Sequence, residues 1–257
     1  MNIERICLNG FRNYDYETAA FSPGVNVITG ENAQGKTNLL EAVYLICTGK
    51  SLRTRFDREL VAFGSAGGEI LADVNAGGRT QTVRIVLRPG ARKQIAVNGV
   101  RSTAGDLNGK FACVLFCPDD LNLIKDGPAA RRKLMDNAIS QMRPGYGKLI
   151  SDYGRLYEQK AAILRDWREK PSLLDTLDDF SDQMCRVSAQ VIRYRAAFAI
   201  RMQEIASKIH GDFSGGRDTL EMQYKTVSTV TDPTAAATEI YYQLCDHLER
   251  HRRAEQD

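Results

Sequence analysis

Residues 30–37 read Gly30-Glu31-Asn32-Ala33-Gln34-Gly35-Lys36-Thr37, and this stretch decides the fold. It follows the pattern G-x-x-x-x-G-K-T, in which the glycines let the backbone curl until successive N–H groups point at an anion. We expect Lys36 to reach the β and γ oxygens of a nucleotide and Thr37 to offer its hydroxyl to Mg²⁺. All eight residues are therefore predicted to form one phosphate-binding loop.

The flanking segments give this loop the context that a phosphate site needs. Val25-Asn26-Val27-Ile28 is a compact apolar run that leads straight into Gly30 and predicts a strand. Residues 38–47 carry apolar side chains at helical spacing and predict a helix directly after the loop. A strand–loop–helix unit is the expected result.

The remainder of the first half predicts further strands, and the second half predicts helices. Alternating or continuous apolar patterns predict strands at 3–8, 16–21, 69–74, 81–87, 94–97 and 111–116. After Pro128, residues 129–209 repeat apolar side chains every three to four positions and predict an antiparallel helical arm interrupted at Pro171. A returning strand at 220–224 and a helix at 235–253 are expected to follow.

The composition is that of an ordinary globular protein and does not by itself indicate a function. An apolar share of 43% and a charged share of 26% are ordinary for a globular protein, and a net charge of +3 permits nucleic-acid binding without arguing for it. The N-terminus lacks the apolar core of a signal peptide, so a cytoplasmic protein is expected. The six cysteines are scattered and have no paired metal-ligand spacing, which indicates structural thiols.

Several motifs together resemble one family closely. They are Leu8-Asn9-Gly10-Phe11-Arg12-Asn13-Tyr14, Phe21-Ser22-Pro23-Gly24-Val25-Asn26, the phosphate loop continued through Asn38-Leu39-Leu40-Glu41-Ala42, Thr48–Thr54, Val97–Val100, Leu115–Leu121 and Gly127–Asp136. In this order, over nearly the whole chain, they resemble the RecF family of bacterial recombination-repair ATPases, which is related to the heads of SMC-type proteins.

This resemblance implies an α/β fold, namely a P-loop NTPase with an ABC-type ATPase head of mixed β-sheet and helices and an inserted helical arm. The expected domains are a head lobe at 1–127, the arm at 128–215, and an incomplete return to the head at 216–257. The resemblance also implies ATP and Mg²⁺ as cofactors and an ATP-dependent homodimer on DNA. RecO and RecR would be partners in loading RecA at single-strand gaps, within recombination, replication, repair and the SOS response.

An ABC-type ATPase also needs a Walker B strand with Mg²⁺-binding acids and a signature loop that caps the γ-phosphate. In the family both lie beyond the last residue here, so a truncated chain that binds ATP without hydrolysing it is expected, with no catalytic residue assigned. Phe213-Ser214-Gly215-Gly216-Arg217 imitates a signature loop but is interpreted as a plain turn. Val114–Asp120 imitates Walker B, and Asp119 is interpreted as a helix N-cap.

Basic clusters offer candidate contacts to DNA phosphates, although each could equally be a solvated face. They are Lys50, Arg53, Arg55 and Arg58 after the loop helix, Arg92-Lys93 in a hairpin, and Arg131-Arg132-Lys133 at the start of the arm. Sequence-independent binding of double-stranded or junction DNA is the expectation that the resemblance supplies. It also implies that Arg12 and Asn13 approach the nucleotide.

Two other functions stay open at this point. A non-hydrolysing structural clamp or adaptor would bind ATP through the same loop and lack enzyme activity. An SMC-type head is the second alternative, but residues 129–209 are short for a long coiled coil and lack sustained heptads.

Overall fold

A computed structural model describes residues 1–54 and 56–256, with side chains through residue 251. It divides into two compact units. The first unit is Met1–Leu123 with Ser140–Pro144, and the second is Ile124–Ile139 with the chain from Gly145 on. The predicted division at 127/128 and 215/216 stays a prediction, although residues beyond Gly216 belong here to the same unit as the arm helices.

A six-stranded sheet forms the frame of the first unit, with the strand order β2-β1-β3-β4-β5-β6. Every pairing in it is antiparallel. Its strands are β1 (Asn2–Phe11), β2 (Tyr14–Ala20), β3 (Gly68–Ala76), β4 (Arg79–Leu87), β5 (Gln94–Val97) and β6 (Val100–Ser102). Five of these strands were predicted, and alternation of buried and exposed side chains along β3 shows why the pattern was readable.

Helix α1 (Lys36–Thr48) supplies the other half of this unit's core. Its Leu45 and Ile46 are fully buried in one cluster with Ile6 and Leu8 of β1 and with Ile70 of β3. The helix ends at Gly49, whose left-handed backbone places its N–H on the carbonyl of Leu45. Packing of α1 on the sheet therefore fixes the position of the phosphate loop, because that loop joins directly to the first turn of α1.

Two predicted strands of this unit do not form. Residues 25–28 have no strand pairing among the described residues, and Val25 is 90% exposed. In 111–116, Phe111 is buried in the core and takes part in an isolated bridge, but the segment forms no strand and Val114 is 99% exposed. A strand exists only through hydrogen bonds to a neighbour, which apolar content alone does not supply. The Asn26 side chain instead holds both backbone groups of Ser22, at 2.9 and 2.8 Å.

The second unit is helical, as predicted. Its long helices are α3 (Pro128–Met142), α4 (Tyr146–Asp166), α5 (Leu177–Ser214) and α6 (Ala237–Gln256), and the short α2 (Ala104–Leu107) belongs to the first unit. A 3₁₀ turn at Pro171–Thr176 separates α4 from α5, where proline was expected to interrupt the arm. No helix in the described part of the chain is long and apolar enough to cross a membrane.

A largely shielded ion pair joins three helices of this unit. Two nitrogens of the Arg195 guanidinium, Nε and Nη2, each donate to the Asp136 carboxylate at 2.8 Å. The Tyr146 hydroxyl donates to the same carboxylate at 2.6 Å. Burial acts to lower the pKa of Arg195, but the hydrogen bonds and charge of Asp136 outweigh it and raise that pKa. Helices α3, α4 and α5 are therefore held at one polar point within an apolar cluster.

The strand predicted at 220–224 is also wrong. This segment has no regular structure and is held by side chains of α5. Gln203 Nε2 and Ser207 Oγ both donate to the carbonyl of Leu220, at 2.8 and 2.7 Å, and Gln203 Oε1 accepts from the N–H of Met222. A side-chain amide thus takes the backbone bonds that a neighbouring strand would have taken, which a period-two pattern cannot distinguish.

Candidate functional site: the phosphate loop

Residues 30–35 form a loop, exposed except at Gly35, that leads into α1, and Lys36 and Thr37 are the first two residues of that helix. The helix begins at Lys36, and the first backbone bond that ties it to the loop is Leu39 N–H to the carbonyl of Gly35, at 2.9 Å. The N–H groups of residues 32–38 donate to no other residue that the structure describes. Unpaired N–H groups at the positive end of a helix dipole are a binding site for an anion.

Gly35 is required at its position for two independent reasons. Its φ of 98° lies in the left-handed region, and a Cβ there would come within 2.7 Å of Asn13 Oδ1 and of the Tyr14 hydroxyl oxygen. Any other residue would be strained and would collide with the β1–β2 turn. Because glycine has no Cβ, the loop can pack closely against Asn13 and Tyr14 at this position.

Lys36 lies with its ammonium over its own loop. The Nζ atom donates to the carbonyls of Gly30 and Glu31, at 2.7 and 2.6 Å. Carbonyl oxygens are weaker partners for an ammonium than phosphate oxygens, because only the latter carry full charge. The lysine is thus held where an anion bound by the loop could take over its hydrogen bonds.

Thr37 is exposed at the second position of α1, next to Lys36. Its hydroxyl forms no hydrogen bond to another described residue and is therefore available to a ligand. Within the described residues there is no group of three or more His, Cys, Asp or Glu side chains that could hold a metal ion by itself. A hydroxyl in the position of Thr37 can serve as one ligand of a Mg²⁺ ion that is otherwise held by phosphates and water, and this contact stays a prediction.

A buried polar network under α1 was missed by the sequence analysis. Glu41 is completely buried, and its carboxylate accepts from Arg12 Nε and Nη2, each at 2.9 Å, and from Ser51 Oγ at 2.6 Å. Burial acts to raise the pKa of Glu41, but the hydrogen bonds of Arg12 and Ser51 outweigh it and lower that pKa. A glutamate on the predicted buried face of a helix was the available signal, since such a residue needs a cation nearby.

The same network shows where Arg12 and Asn13 lie. Arg12 adopts a left-handed backbone with φ of 55°, and its third nitrogen, Nη1, donates to the carbonyl of Glu59 at 2.8 Å. Asn13 Oδ1 accepts from Asn38 Nδ2 at 2.7 Å, and Asn38 Oδ1 in turn accepts from Arg53 Nη1 at 3.0 Å. Arg12 therefore binds Glu41 of α1, the helix that follows the loop, and Asn13 binds Asn38 in the first turn of the same helix. Contact of either with a nucleotide stays a prediction.

The two segments that imitate catalytic motifs have the following local structure. Phe213 and Ser214 are the last residues of α5, and Gly215 caps that helix in the left-handed conformation, so the predicted turn begins only at residue 215. Residues 118–122 form a 3₁₀ helix, but Asp119 is not its N-cap. Asp120 accepts the N–H of Cys117 at 2.7 Å instead, because a carboxylate three residues into a helix can reach back to the capping residue.

The candidate DNA contacts are distributed over both units. Lys50, Arg53 and Arg58 are exposed in the loop after α1, whereas Arg55 lies outside the described residues. Lys93 is bound to Asp57, and Arg131 Nη1 donates to the carbonyl of Ile124 at 2.9 Å. The structure shows that Lys93 is already paired with Asp57. Contact of the other cations with phosphates stays a prediction.

The fold and this loop define a P-loop NTPase. The family model of the AAA domain matches residues 5–186. The RecF of Acetivibrio thermocellus, a DNA replication and repair protein, is 34% identical over 95% of this chain and 67% of its own length. Two solved structures, of the recombination mediator protein RecF-ATPrS and RecF-ATP in the RecFOR pathway, are each 28% identical. Their TM-scores are 0.92 and 0.84, and they cover 99% and 97% of this chain.

The chain belongs to the RecF family. It spans about two thirds of the length of these relatives: 67% of the curated protein, and 68% and 67% of the two solved chains. The resemblance first noted at Leu8–Tyr14 and at the phosphate loop is thereby confirmed.

Proposed function

We propose that this chain binds ATP with Mg²⁺ at residues 30–37 and acts on DNA in replication and recombinational repair. The observation that carries the proposal is the loop itself: unpaired N–H groups at the start of α1, with the ammonium of Lys36 held beside them. The solved RecF-ATP relative supports ATP as the anion, because it matches the chain over this region and beyond.

Each residue of the loop has a distinct role in this proposal. Gly30 and Gly35 allow the curl, and the N–H groups from Asn32 to Thr37 surround the phosphates. Lys36 exchanges its two carbonyl partners for phosphate oxygens, and Thr37 contributes its hydroxyl to Mg²⁺. When bound, Mg²⁺ neutralises phosphate charge. Glu31, Ala33 and Gln34 complete the loop and contribute backbone rather than side-chain contacts.

Binding without turnover is the second part of the proposal. Phosphoryl transfer in this class depends on positioning and on stabilising charge, which needs acids at the metal and a signature loop. Among the described residues, no carboxylate forms an ion pair or hydrogen bond with Lys36 or Thr37. We therefore assign no catalytic group to these residues and propose that they bind ATP without hydrolysing it.

Action on DNA is the third part. An ATP-dependent homodimer would bind double-stranded or junction DNA through its backbone, independently of sequence, and would act with RecO and RecR to load RecA in the cytoplasm. Support comes from membership of the RecF family and from the RecFOR pathway named for the solved relatives. Roles in recombination and in the SOS response belong to the same proposal.

Parallel binding and turnover measurements test this function. Equilibrium binding of a fluorescent ATP analogue and of a labelled DNA duplex, the latter with and without ATP, should both be detectable with the full 257-residue chain. Steady-state phosphate release should stay at background. ATP binding with no DNA binding under any nucleotide condition would favour the alternative of a structural clamp. Failure to bind ATP would contradict the central claim of the proposal, that residues 30–37 are a nucleotide site.

A further inference from the structure

Two basic segments that are distant in sequence lie together in the first unit. The first, the basic loop, comprises residues 50–58 after α1. The second, the hairpin tip, comprises residues 88–93 between β4 and β5. Their described cations are Lys50, Arg53, Arg58, Arg88, Arg92 and Lys93. Asp57 is the single acidic residue in the two sequence segments.

One residue pair connects the two segments. Lys93 Nζ donates to Asp57 Oδ1 at 2.7 Å, and the backbone N–H of Lys93 donates to Asp57 Oδ2 at 3.4 Å. Both side chains are mostly shielded, with 20% of Lys93 and 24% of Asp57 exposed. Both oxygens of one carboxylate thus bind one residue of the hairpin tip, which fixes the backbone of the tip as well as its charge.

This pairing leaves the remaining cations available. Asp57 is occupied by Lys93, so it does not neutralise the arginines beside it. Arg58, Arg88 and Arg92 are exposed and form no ion pair with another described residue. Arg58 lies over the ring of Phe56, with its guanidinium carbon 5.2 Å from the ring centroid, which orders it without consuming its charge.

We propose that the basic loop and the hairpin tip form one surface for the phosphate backbone of double-stranded DNA, with the Asp57–Lys93 pair as its brace. This inference rests on the proposed DNA binding and deepens it by assigning different roles to neighbouring cations. The exposed arginines contact phosphates, since the guanidinium fork fits phosphate oxygens. Lys93 is a positioning residue that holds the tip against the loop.

The opposite role for Lys93, direct contact with a phosphate, predicts the opposite effect at Asp57. If Asp57 only lowered the positive charge of the surface, its removal would strengthen binding to a polyanion. If Asp57 braces the tip, its removal releases Arg92 and weakens binding, although the surface becomes more positive. The sign of one substitution therefore separates the two roles.

The experiment measures affinity of the full chain for a labelled 20-base-pair duplex of mixed sequence, with ATP present, across a salt series. Arg58→Ala and Arg92→Ala should each make the slope of log K against log salt shallower by about 0.9, the value for one lost phosphate contact. Asp57→Ala and Lys93→Met should each weaken binding and lower the slope by up to the same amount. The exchanged pair, Asp57→Lys with Lys93→Asp, should recover most of the affinity.

Matched controls separate a brace from general charge or folding effects. Asp15→Ala removes an exposed carboxylate of β2 that forms no ion pair with another residue in the described part of the chain, and it should leave binding unchanged or slightly stronger. Arg84→Met breaks a more exposed ion pair, with Glu69 on the sheet, and should leave the slope unchanged. Melting temperature and ATP affinity of the Asp57 and Lys93 variants should match the unmodified chain.

Three results would overturn the inference. Tighter binding by Asp57→Ala would show that the pair is no brace. Unchanged slopes for both Arg58→Ala and Arg92→Ala would remove the two segments from the DNA surface, while leaving DNA binding itself intact. Absence of duplex binding by the unmodified chain would instead defeat the proposed DNA function, and the inference with it.

Discussion

Replacement of Glu41 by leucine should destabilise the first unit more than other single polar substitutions in it. Glu41 is fully buried beneath the phosphate loop and receives two hydrogen bonds from Arg12 and one from Ser51. Leucine has a similar volume and fills the space, so loss of the charge dominates the effect. The guanidinium of Arg12, which is only 17% exposed, would be left without its counter-charge.

The magnitude follows from these contacts. Hydrogen bonds to a charged group contribute about 1.5–3 kcal/mol each, and removing the desolvation cost of the carboxylate offsets part of the three that are lost. Breaking one side of a buried pair costs about 3–5 kcal/mol in other proteins. We expect a loss of this size for Glu41→Leu. The melting temperature of this unit should then fall by roughly 10–20 °C, at about 3–5 °C per kcal/mol.

Thermal and urea unfolding of a double-mutant cycle provide the test. Arg12→Met should destabilise by a similar amount, whereas the double variant should recover at least about 2 kcal/mol, because an apolar pair replaces an ion pair with little net change. Ser51→Ala, which removes one hydrogen bond, should cost only about 1–2 kcal/mol. Additive effects of the Arg12 and Glu41 substitutions would refute the claim that the two residues stabilise the fold as a pair.

The pair also has a pH signature. The pKa of Glu41 is lower in the folded chain than in the unfolded chain, so its stabilisation is fully present above the unfolded value near 4.5. That stabilisation is lost as pH falls through the lower, folded pKa. Stability measured from pH 6 down to pH 3 should decline more steeply for the unmodified chain than for Glu41→Leu. Parallel curves would contradict this assignment.

Three further predictions concern the core, the DNA contacts and turnover. Leu45→Ala should cost about 2–5 kcal/mol of unfolding free energy, against under about 1 kcal/mol for Leu40→Ala on the exposed side of α1, in urea unfolding. Arg53→Ala and Arg131→Ala should each lower the salt slope of DNA binding by about one for all sequences alike, and unchanged slopes would make them solvated surface. Phosphate release by the 257-residue chain should equal that of its Lys36→Ala variant, whereas a chain of the relatives' full length should hydrolyse ATP slowly with DNA stimulation. Lys36-dependent release by the short chain would place catalysis near Asp119 or Ser214.

Elements with local signals were predictable from the sequence, and elements that depend on a neighbour were not. Helix α1 has its apolar period within one stretch, so the helix was predicted correctly, whereas the phosphate-binding role of the loop before it stays a prediction. Residues 25–28 and 111–116 carry equally strong apolar patterns, yet neither segment forms a strand among the described residues, and Val25 and Val114 are almost fully exposed. Period-two patterns report a preference for pairing, and the partner must come from elsewhere.

For the candidate site, too, some residues could be predicted from the sequence and others could not. Residues 30–37 could be proposed as a phosphate site from spacing alone, since the chemistry of phosphate binding is contained in contiguous residues. The roles of Glu41 and Lys93 could not, because Glu41 pairs with Arg12 twenty-nine positions earlier and Lys93 with Asp57 thirty-six positions earlier. Buried or bridging charges acquire their meaning from tertiary contacts, which composition and periodicity do not contain.

Titration calorimetry of ATP and Mg²⁺ into the unmodified chain and Lys36→Ala tests the central claim most directly. Lys110→Ala, an exposed lysine of the same unit, is the matched control. We predict that loss of Lys36 weakens ATP binding by about 2–3 kcal/mol, roughly 30- to 150-fold, because a charge-assisted contact to phosphate is removed. The control should bind like the unmodified chain. Equal ATP affinities for the unmodified chain and Lys36→Ala would contradict the assignment of residues 30–37 as the nucleotide site.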